Sequence, residues 1–579
     1  MQIKLSTNKT IEWKVRKIGV IGPGIVGMPM ATLLANARIC IGTDQPAKVQ
    51  VVQRNSRNSG WKVDAINRGE SVIGGIEPVL DKITEESVKK GLLSASWDYY
   101  SLADADVILI SIQTDKDGFG PDYGPLLSGL SSLAEALQNK PADTTPLIIF
   151  ESTLAPSSMA TVIKEHFKKY GLIEGKDILL GNSPNRVMPG RLVERVTESD
   201  KLVAGLHPET PRMIREIYQH IVTKGTLHTT NSLSAEVTKT LENAYRDVRI
   251  AFSAEIVRYC DTNNINFFAL RDEVNRKLAQ EDAASRDPNS VPSGGILVPT
   301  IGVGGHCLPK DGILLLWRKY QAGLDTSNSL ILHSRIINDD SPHQAIKLFE
   351  KNFGRIEEKK IAVLGAAYRF NSEDTRNSPS LQFALQCLAK GCKVTIHDPF
   401  VKVDDQNLEK HNLTPHFTND IDKALKDAEY IIIGTAHRYY SEEVEKIVSK
   451  APKLVGVFDA SNIYKAGDIT SLGKQYAGIG RGTQPPTPGI IEFVYDSFQS
   501  MERGVGNEVK QLCNFLNEHY AQDEFNKVHF TEIQHLAASC STGCTIADTG
   551  PIHEVPEYHG FKSELVEKAF NHQMEKVVK

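Results

Sequence analysis

"KIGVIGPGIVGMPMATLLA", Lys17 to Ala35, is the stretch whose reading decides the fold. Its apolar start, Ile18 to Ile21, reads as a buried parallel strand, and the residues beyond Gly27 follow helical spacing. Between them Gly22, Gly24 and Gly27 spell G-x-G-x-x-G, with Ile25 and Val26 completing a cofactor-binding turn. Gly22 permits the tight turn, Gly24 lets a pyrophosphate approach the backbone, and Gly27 lets helix and strand pack closely. The helix N-terminus adds open amide donors and partial positive charge for the phosphates. A second strand, "ARICIGTD", is expected to end at Asp44, about 20 residues past the glycines. A carboxylate there accepts ribose hydroxyls and repels a 2'-phosphate, which favours NAD over NADP. The bland alternative is a strand-turn-helix with no ligand. Strand, glycines, helix, strand and acidic end occurring in order count against it.

"DADVILISIQT" (Asp104 to Thr114) and "TPLIIFEST" (Thr145 to Thr153) supply further buried strands. From Lys359 to Pro399 the strand-loop-helix-strand-Asp plan repeats, and "DAEYIIIGTAH" echoes "DADVILISIQT". This repetition points to two nucleotide-binding α/β domains. The second carries only Gly365 in its first turn, a poor pyrophosphate clamp. Its loop with Arg369, Asp374, Thr375 and Arg376 suits another phosphate group, or a surface ion-pair cluster. Between the domains, Ser232 to Cys260 has apolar residues at helical spacing. Lys239 and Asn243 share one face of that helix, which taken alone is a solvated polar stripe.

The chain has 579 residues, too many for one core, so three or four domains are expected. With 40% hydrophobic and 24% charged residues the composition is that of a soluble globular protein. A net charge of -5 gives no electrostatic case for nucleic acid or an anionic membrane as partner. No apolar run approaches the roughly 20 residues of a membrane helix, and "MQIKLSTNKTIEWKVRK" lacks a signal-peptide core. Eight scattered cysteines fit a reducing cytoplasm better than a disulfide framework.

One cysteine stands apart. In "TIGVGGHCLPKD", Thr300 to Asp311, Cys307 lies between a glycine-rich turn and the start of an apolar helix. Alone it reads equally as a tight turn ending in a buried thiol.

Together "GVIGPGIVGMP", "IEPVLD", "ESTLAPSS", "SPNRVMPG", "AEVTKTLENAYR", "GVGGHCLPKD", "LGAAYRFNSEDTRNSPSL" and "YAGIGRG" resemble the UDP-glucose/GDP-mannose dehydrogenase family. The resemblance runs from about Lys17 to Gly482. "GGHC" and the S-P-x-R-V-x-P-G form look like the branch acting on UDP-N-acetyl-hexosamines. The implied fold is two Rossmann-like, doubly wound α/β domains joined by a central helical domain, with a small helical C-terminal appendage. The corresponding segments are 14–215 for NAD, 216–340 for the central helices and cysteine loop, 341–482 for the UDP-sugar, and 490–579 for the extension. The implied reaction is a four-electron oxidation in which two NAD turn a sugar C6 alcohol into a carboxylate, in a homodimer or higher homo-oligomer. UDP-glucose or GDP-mannose oxidation is the neighbouring alternative, and a nucleotide-sugar-binding regulator with impaired turnover the more distant one.

The resemblance makes Cys307 the nucleophile that holds the C6 carbon, first as a thiohemiacetal and then as a thioester. Its position at a helix N-terminus beside Lys310 favours the thiolate. Asp311 with Thr153 would position the proton-accepting water, Lys239 and Asn243 would steady the oxyanion, and Lys310 would act electrostatically. Thr114 and Thr153 join the glycine turn and Asp44 at the coenzyme. Asn185, Arg186, Gly304, Gly305, Arg369 and Arg376 are expected at the substrate, with Gly302, Gly304 and Gly305 letting the backbone approach the sugar. No metal is implied.

Several positions depart from the family's pattern. Asn185 replaces a glutamate associated with thioester hydrolysis, and Arg369 stands where lysine is usual. Ser461 and Asn462 occupy a motif that normally holds arginine, and "SAE" (Ser253 to Glu255) lacks the usual Asn-Glu pair. The polar insert "AQEDAASRDPNSVPSGG" reads as a surface loop. Beyond it all, "GTQPPTPG" (Gly482 to Gly489) reads as a proline-stiffened linker to a helical tail. Ile491, Val494, Tyr495 and Phe498, and later Phe561, Leu565, Val566 and Phe570, follow helical spacing. Cys540, Cys544, His535 and His553 read more readily as thiols and histidines in a loop than as a zinc site.

Overall fold

The computed structural model describes residues 1–57, 59–73, 77–187, 191–284, 294–442, 444–540, 546 and 549–574. Parts of three motifs (Ile76 of "IEPVLD", 188–190 of "SPNRVMPG", and most of the polar insert) and Cys544 lie outside them. The chain groups into two compact units, cutting across the four expected segments. One comprises Met1–Glu242, Leu314–Leu324 and Lys510–Thr542, and the other comprises Asn243–Ile313, Asp325–Val509 and Gly543–Lys579.

The first unit is built on an eight-stranded sheet. Its elements are β1 (Lys17–Ile21), α1 (Gly27–Ala37), β2 (Lys48–Val52), β3 (Leu93–Ser96), β4 (Val107–Ile110), β5 (Leu147–Phe150), β6 (Leu179–Asn182), β7 (Lys201–Gly205) and β8 (Leu227–Asn231). The order is β8-β7-β6-β5-β4-β1-β2-β3, parallel except for the β6–β7 pair. Strands β4 and β5 are buried at every position, as their uninterrupted apolar runs require of a sheet covered on both faces. The glycine strand β1 lies between β2 and β4, the switch point at whose carboxyl edge open α/β sheets bind ligands.

One expectation is corrected here. "ARICIGTD" forms no strand: Ile41 makes a lone bridge to Val15, and residues 42–45 bend before β2 begins at Lys48. Val15 precedes β1, and β1 and β2 are parallel, so Asp44 sits at the amino edge of the sheet, away from the glycine turn. It is exposed there and cannot serve as the ribose acceptor.

The second unit holds α2's C-terminal part (α2 is Ser232–Thr262), the start of α3 (Leu308–Gln321), and a wholly parallel sheet. Its strands are β9 (Lys360–Leu364), β10 (Lys393–His397), β11 (Phe417–Thr418), β12 (Tyr430–Ile433), β13 (Gly456–Asp459) and β14 (Gln475–Gly478), in the order β11-β10-β9-β12-β13-β14. The tail forms α4 (Pro488–His519), α5 (Phe530–Cys540) and α6 (Glu564–Met574), and its residues are divided between the two units. The expected linker is tied down: Gln484 bridges Ile265, Arg481 bridges Asn266, and a Cβ on Gly482 would overlap the Ile265 carbonyl. Among the described residues no helix is long and apolar enough to cross a membrane.

Candidate active site

In the first unit the glycine turn has the geometry its sequence predicts. Gly22 has φ +89°, and an added Cβ would lie 2.9 Å from the Ser111 carbonyl. A Cβ on Gly27 would overlap the Gly22 carbonyl itself, whereas nothing lies within 4 Å of one on Gly24. The turn is therefore closed on the protein side and open where a pyrophosphate would lie, and exposed Ile25 flanks that opening. These features fit a dinucleotide. Gly27→Val should force helix and strand apart at a cost of about 1–3 kcal/mol and weaken NAD binding at least tenfold. Calorimetric titration and a melting curve check this, and wild-type NAD affinity would contradict it.

Thr114 and Thr153 stand together at the ends of the chain leaving β4 and β5, the Thr114 hydroxyl donating to the Thr153 carbonyl at 2.7 Å. The loop after Thr153 is held from below by Glu236 of α2, whose oxygens accept the N–H groups of Ser157 (2.7 Å) and Met159 (2.8 Å). Burial pushes that carboxyl up to about 8. Lys239, one turn further along α2, is buried too.

Asn185 does not stand alone. Its amide donates to Glu151, and Lys201 bridges the two, 2.9 Å from Glu151 Oε2 and 3.0 Å from Asn185 Oδ1. The Tyr218 hydroxyl donates to the other Glu151 oxygen. Burial lowers the Lys201 pKa, opposed by the Glu151 charge, and raises that of Tyr218 well above its usual range. A glutamate at 185 would set a second carboxylate against Glu151, so the asparagine is the neutral partner this ion pair demands. Arg186 forks onto Glu242 of α2, Nε lying 3.0 and 2.8 Å from the two oxygens.

In the second unit Cys307 is exposed and begins α3: its carbonyl accepts the N–H groups of Lys310 (3.1 Å) and Asp311 (2.9 Å). That places the thiol at the helix N-terminus, as expected. The Asp311 carboxylate is buried and held on both sides, by Lys310 Nζ at 2.7 Å and by the Asn243 amide at 2.6 Å. Lys310, Asp311 and Asn243 thus form one fixed charge-assisted cluster beside the cysteine.

The glycines of the cysteine loop need a different explanation from the expected one. A Cβ on Gly304 would overlap Tyr368, one on Gly305 (φ +85°) would lie 2.9 Å from the Tyr368 ring, and one on Gly302 would lie 3.0 Å from Pro379. The Gly305 N–H donates to the Arg376 carbonyl and its own carbonyl accepts from Asn377, both at 2.8 Å. The room these glycines leave is filled by the 368–379 loop. The packing brings Tyr368 and Arg376 within electrostatic range of Cys307. Arg376 also pairs with Asp374 at 2.5 Å. Arg246 of α2 is a residue that sequence reasoning passed over, although it ends a quoted motif. Its pKa is lowered by burial and by the nearby charges of Arg369 and Arg249.

The second sheet's own turn is closed to phosphate for a visible reason. Buried Asp398 accepts the Ala366 (2.8 Å) and Ala367 (3.1 Å) N–H groups, the amides a pyrophosphate would need, and His437 Nε2 lies 3.0 Å away. Asn462 contacts Arg481, its Oδ1 accepting from Nε at 3.1 Å, so an arginine stands beside the motif that lacks one.

A glycine-turn dinucleotide domain, a second α/β domain and an exposed helix-capping cysteine define a nucleotide-dependent dehydrogenase. Residues 16–222 match the NAD binding domain, 233–340 the central domain and 362–466 the UDP binding domain of the UDP-glucose/GDP-mannose dehydrogenase family. The chain belongs to that family and is an NAD-dependent nucleotide-sugar dehydrogenase. It is 30% identical over 471 residues to a UDP-N-acetyl-D-mannosamine dehydrogenase of Pyrococcus horikoshii, covering 80% of this chain and 99% of that one. An NDP-N-acetyl-D-galactosaminuronic acid dehydrogenase of Ralstonia solanacearum is 28% identical, over 75% of this chain and 93% of that one. The crystal structure of an NDP-N-acetyl-D-galactosaminuronic acid dehydrogenase from Methanosarcina mazei Go1 superimposes with a TM-score of 0.66 at 30% identity, covering 81% and 96%.

Proposed function

We propose that the protein oxidises the C6 alcohol of a UDP-N-acetyl-hexosamine to the uronic acid, with Cys307 carrying the carbon between the two oxidations. The observation that carries this is the exposed thiol at the start of α3, next to the Lys310–Asp311–Asn243 cluster. NAD, when bound, accepts two electrons in each oxidation. Gly22, Gly24 and Gly27 would hold its pyrophosphate, and Thr114 and Thr153 would lie beside its nicotinamide end.

Asp311, already accepting from Lys310 and Asn243, is held in place to orient a water that takes the alcohol proton. Lys239 supplies positive charge to the developing oxyanion, with the Asn243 amide donating beside it. The thiolate suits the next step because it attacks an aldehyde readily and still leaves readily from a thioester. Arg246 lies near the charges of Arg369 and Arg249 in the second unit, and a substrate diphosphate is the anion that relieves that repulsion, with Arg376, held by Asp374, as a further donor. The names of the Pyrococcus and Ralstonia relatives favour an N-acetylated hexosamine over UDP-glucose.

NADH absorbance with a panel of UDP- and GDP-sugars tests the reading. The expected result is two NADH per UDP-N-acetyl-hexosamine consumed. A single burst of two NADH per enzyme chain, with a lasting thioester on Cys307 and no acid released, would show that a chain with Asn185 in place of a glutamate fails at thioester hydrolysis. No NADH with any sugar would overturn the reading.

A further inference from the structure

With Asp44 removed to the far edge of the sheet, a different segment stands where a dinucleotide's adenosine ribose is read. Strand β2 ends at Val52, whose carbonyl accepts the Gly22 N–H at 3.1 Å, so the residues after it lie beside the pyrophosphate turn. Those residues are Gln53-Arg54-Asn55-Ser56-Arg57. The strand's end, usual place of the ribose-binding carboxylate, holds a carboxamide followed by a guanidinium.

The segment is shaped before any ligand arrives. Gln53 N–H continues the ladder to the Ser96 carbonyl at 3.1 Å, so Arg54 leaves directly from the carboxyl edge of the sheet. The Gln53 side chain donates to the Ser59 hydroxyl at 2.9 Å, and the Ser56 and Ser59 hydroxyls lie 2.7 Å apart. Gly60 N–H returns to the Ser56 carbonyl at 2.8 Å, and Trp97 Nε1 donates to the Gly60 carbonyl at 3.0 Å. Both Arg54 and Arg57 are exposed, and neither is ion-paired among the described residues. A third cation, half-buried Lys62, reaches back to the Pro23 carbonyl of the glycine turn at 3.4 Å.

We propose that this loop is a 2'-phosphate site, so that the coenzyme domain takes NADP as well as NAD, with Arg54 gripping the phosphate. Carboxylate-terminated strands exclude NADP by charge repulsion, and an amide does not repel a phosphate. A guanidinium forks onto two phosphate oxygens, and the serine hydroxyls of the same loop are donors of matching chemistry. The proposal rests on the glycine turn being the coenzyme site.

Calorimetric titration of the full chain with NAD, NADP, ADP and 2',5'-ADP tests it, because binding is read without turnover. The expected result is 2',5'-ADP binding at least tenfold more tightly than ADP, with that preference shrinking as salt rises. Arg54→Ala should lower the ratio of NADP to NAD affinity at least tenfold, and Arg54→Lys should recover part of it. If 2',5'-ADP binds no better than ADP, or Arg54→Ala leaves the ratio unchanged, the proposal is overturned while the coenzyme site stands. If none of the four binds, the coenzyme reading itself falls as well.

Discussion

Cys307→Ser should abolish formation of the uronic acid, lowering its rate on the order of 10³-fold or more, while NAD still binds. The two parts of this outcome arise in different places. The pyrophosphate turn is made by Gly22, Gly24 and Gly27 of the first unit, and Cys307 belongs to the second. Serine fits the position sterically and leaves the backbone carbonyl to accept from Lys310 and Asp311, so α3 keeps its first turn. What changes is the atom. A serine hydroxyl is almost entirely protonated near neutral pH, and an alkoxide leaves an ester far less readily than a thiolate leaves a thioester. NAD affinity measured by calorimetry, with product acid followed by mass spectrometry, separates the two parts. Acid produced at the wild-type rate would remove Cys307 from the chemistry.

The parts of this protein legible in its sequence are those where one local pattern has one outcome. "VILI" and "LIIF" could only be fully buried strands, and they are β4 and β5. The glycine turn was legible for the same reason, since each glycine answers to a contact a few residues away. Asp44 was misplaced because two apolar runs, Ile39–Ile41 and Val49–Val52, compete for the strand beside β1. Pairing of β2 with both β1 and β3 settles that competition, and these partners are distant in sequence. The cysteine loop shows the same limit at the site. Its glycines announced a close approach, but not that Tyr368 and Pro379 would be what approaches. Arg246 ends a sequence motif, yet only the fold brings it near Arg369. The tail's helical faces were readable too, whereas their partners lie hundreds of residues earlier.

Those partners lead to the second large effect: a chain ending at Thr487 should not fold to a stable enzyme. The helical appendage packs into both units. In the second unit α4 buries Ile490, Phe493, Val494, Phe498, Met501, Val505 and Val509, each worth about 1.5–3 kcal/mol when removed from water. Their sum, about 10–21 kcal/mol, is as large as the roughly 5–15 kcal/mol by which domains are stable, and deletion would expose the apolar surface they cover. Polar groups are committed as well. The Tyr245 hydroxyl donates to Glu502 at 2.8 and 2.7 Å, Ser329 is hydrogen-bonded to Glu508, and Glu255 accepts from Ser563 (2.8 Å) and the Glu564 N–H (2.7 Å). Burial pushes the Glu255 carboxyl up to about 8. Deleting the tail would strip its two donors, a loss of about 1–3 kcal/mol for each group left without a partner. The first unit depends on the tail in the same way: Asn231 donates to the Lys527 carbonyl at 2.7 Å, Asn526 to that of Leu206 at 3.3 Å, and Arg318 stacks on Tyr520. Expression of residues 1–487 should therefore give aggregated chain, or soluble chain without a cooperative melting transition. A soluble product that melts near the full-length protein's midpoint would show that the tail is dispensable to both cores.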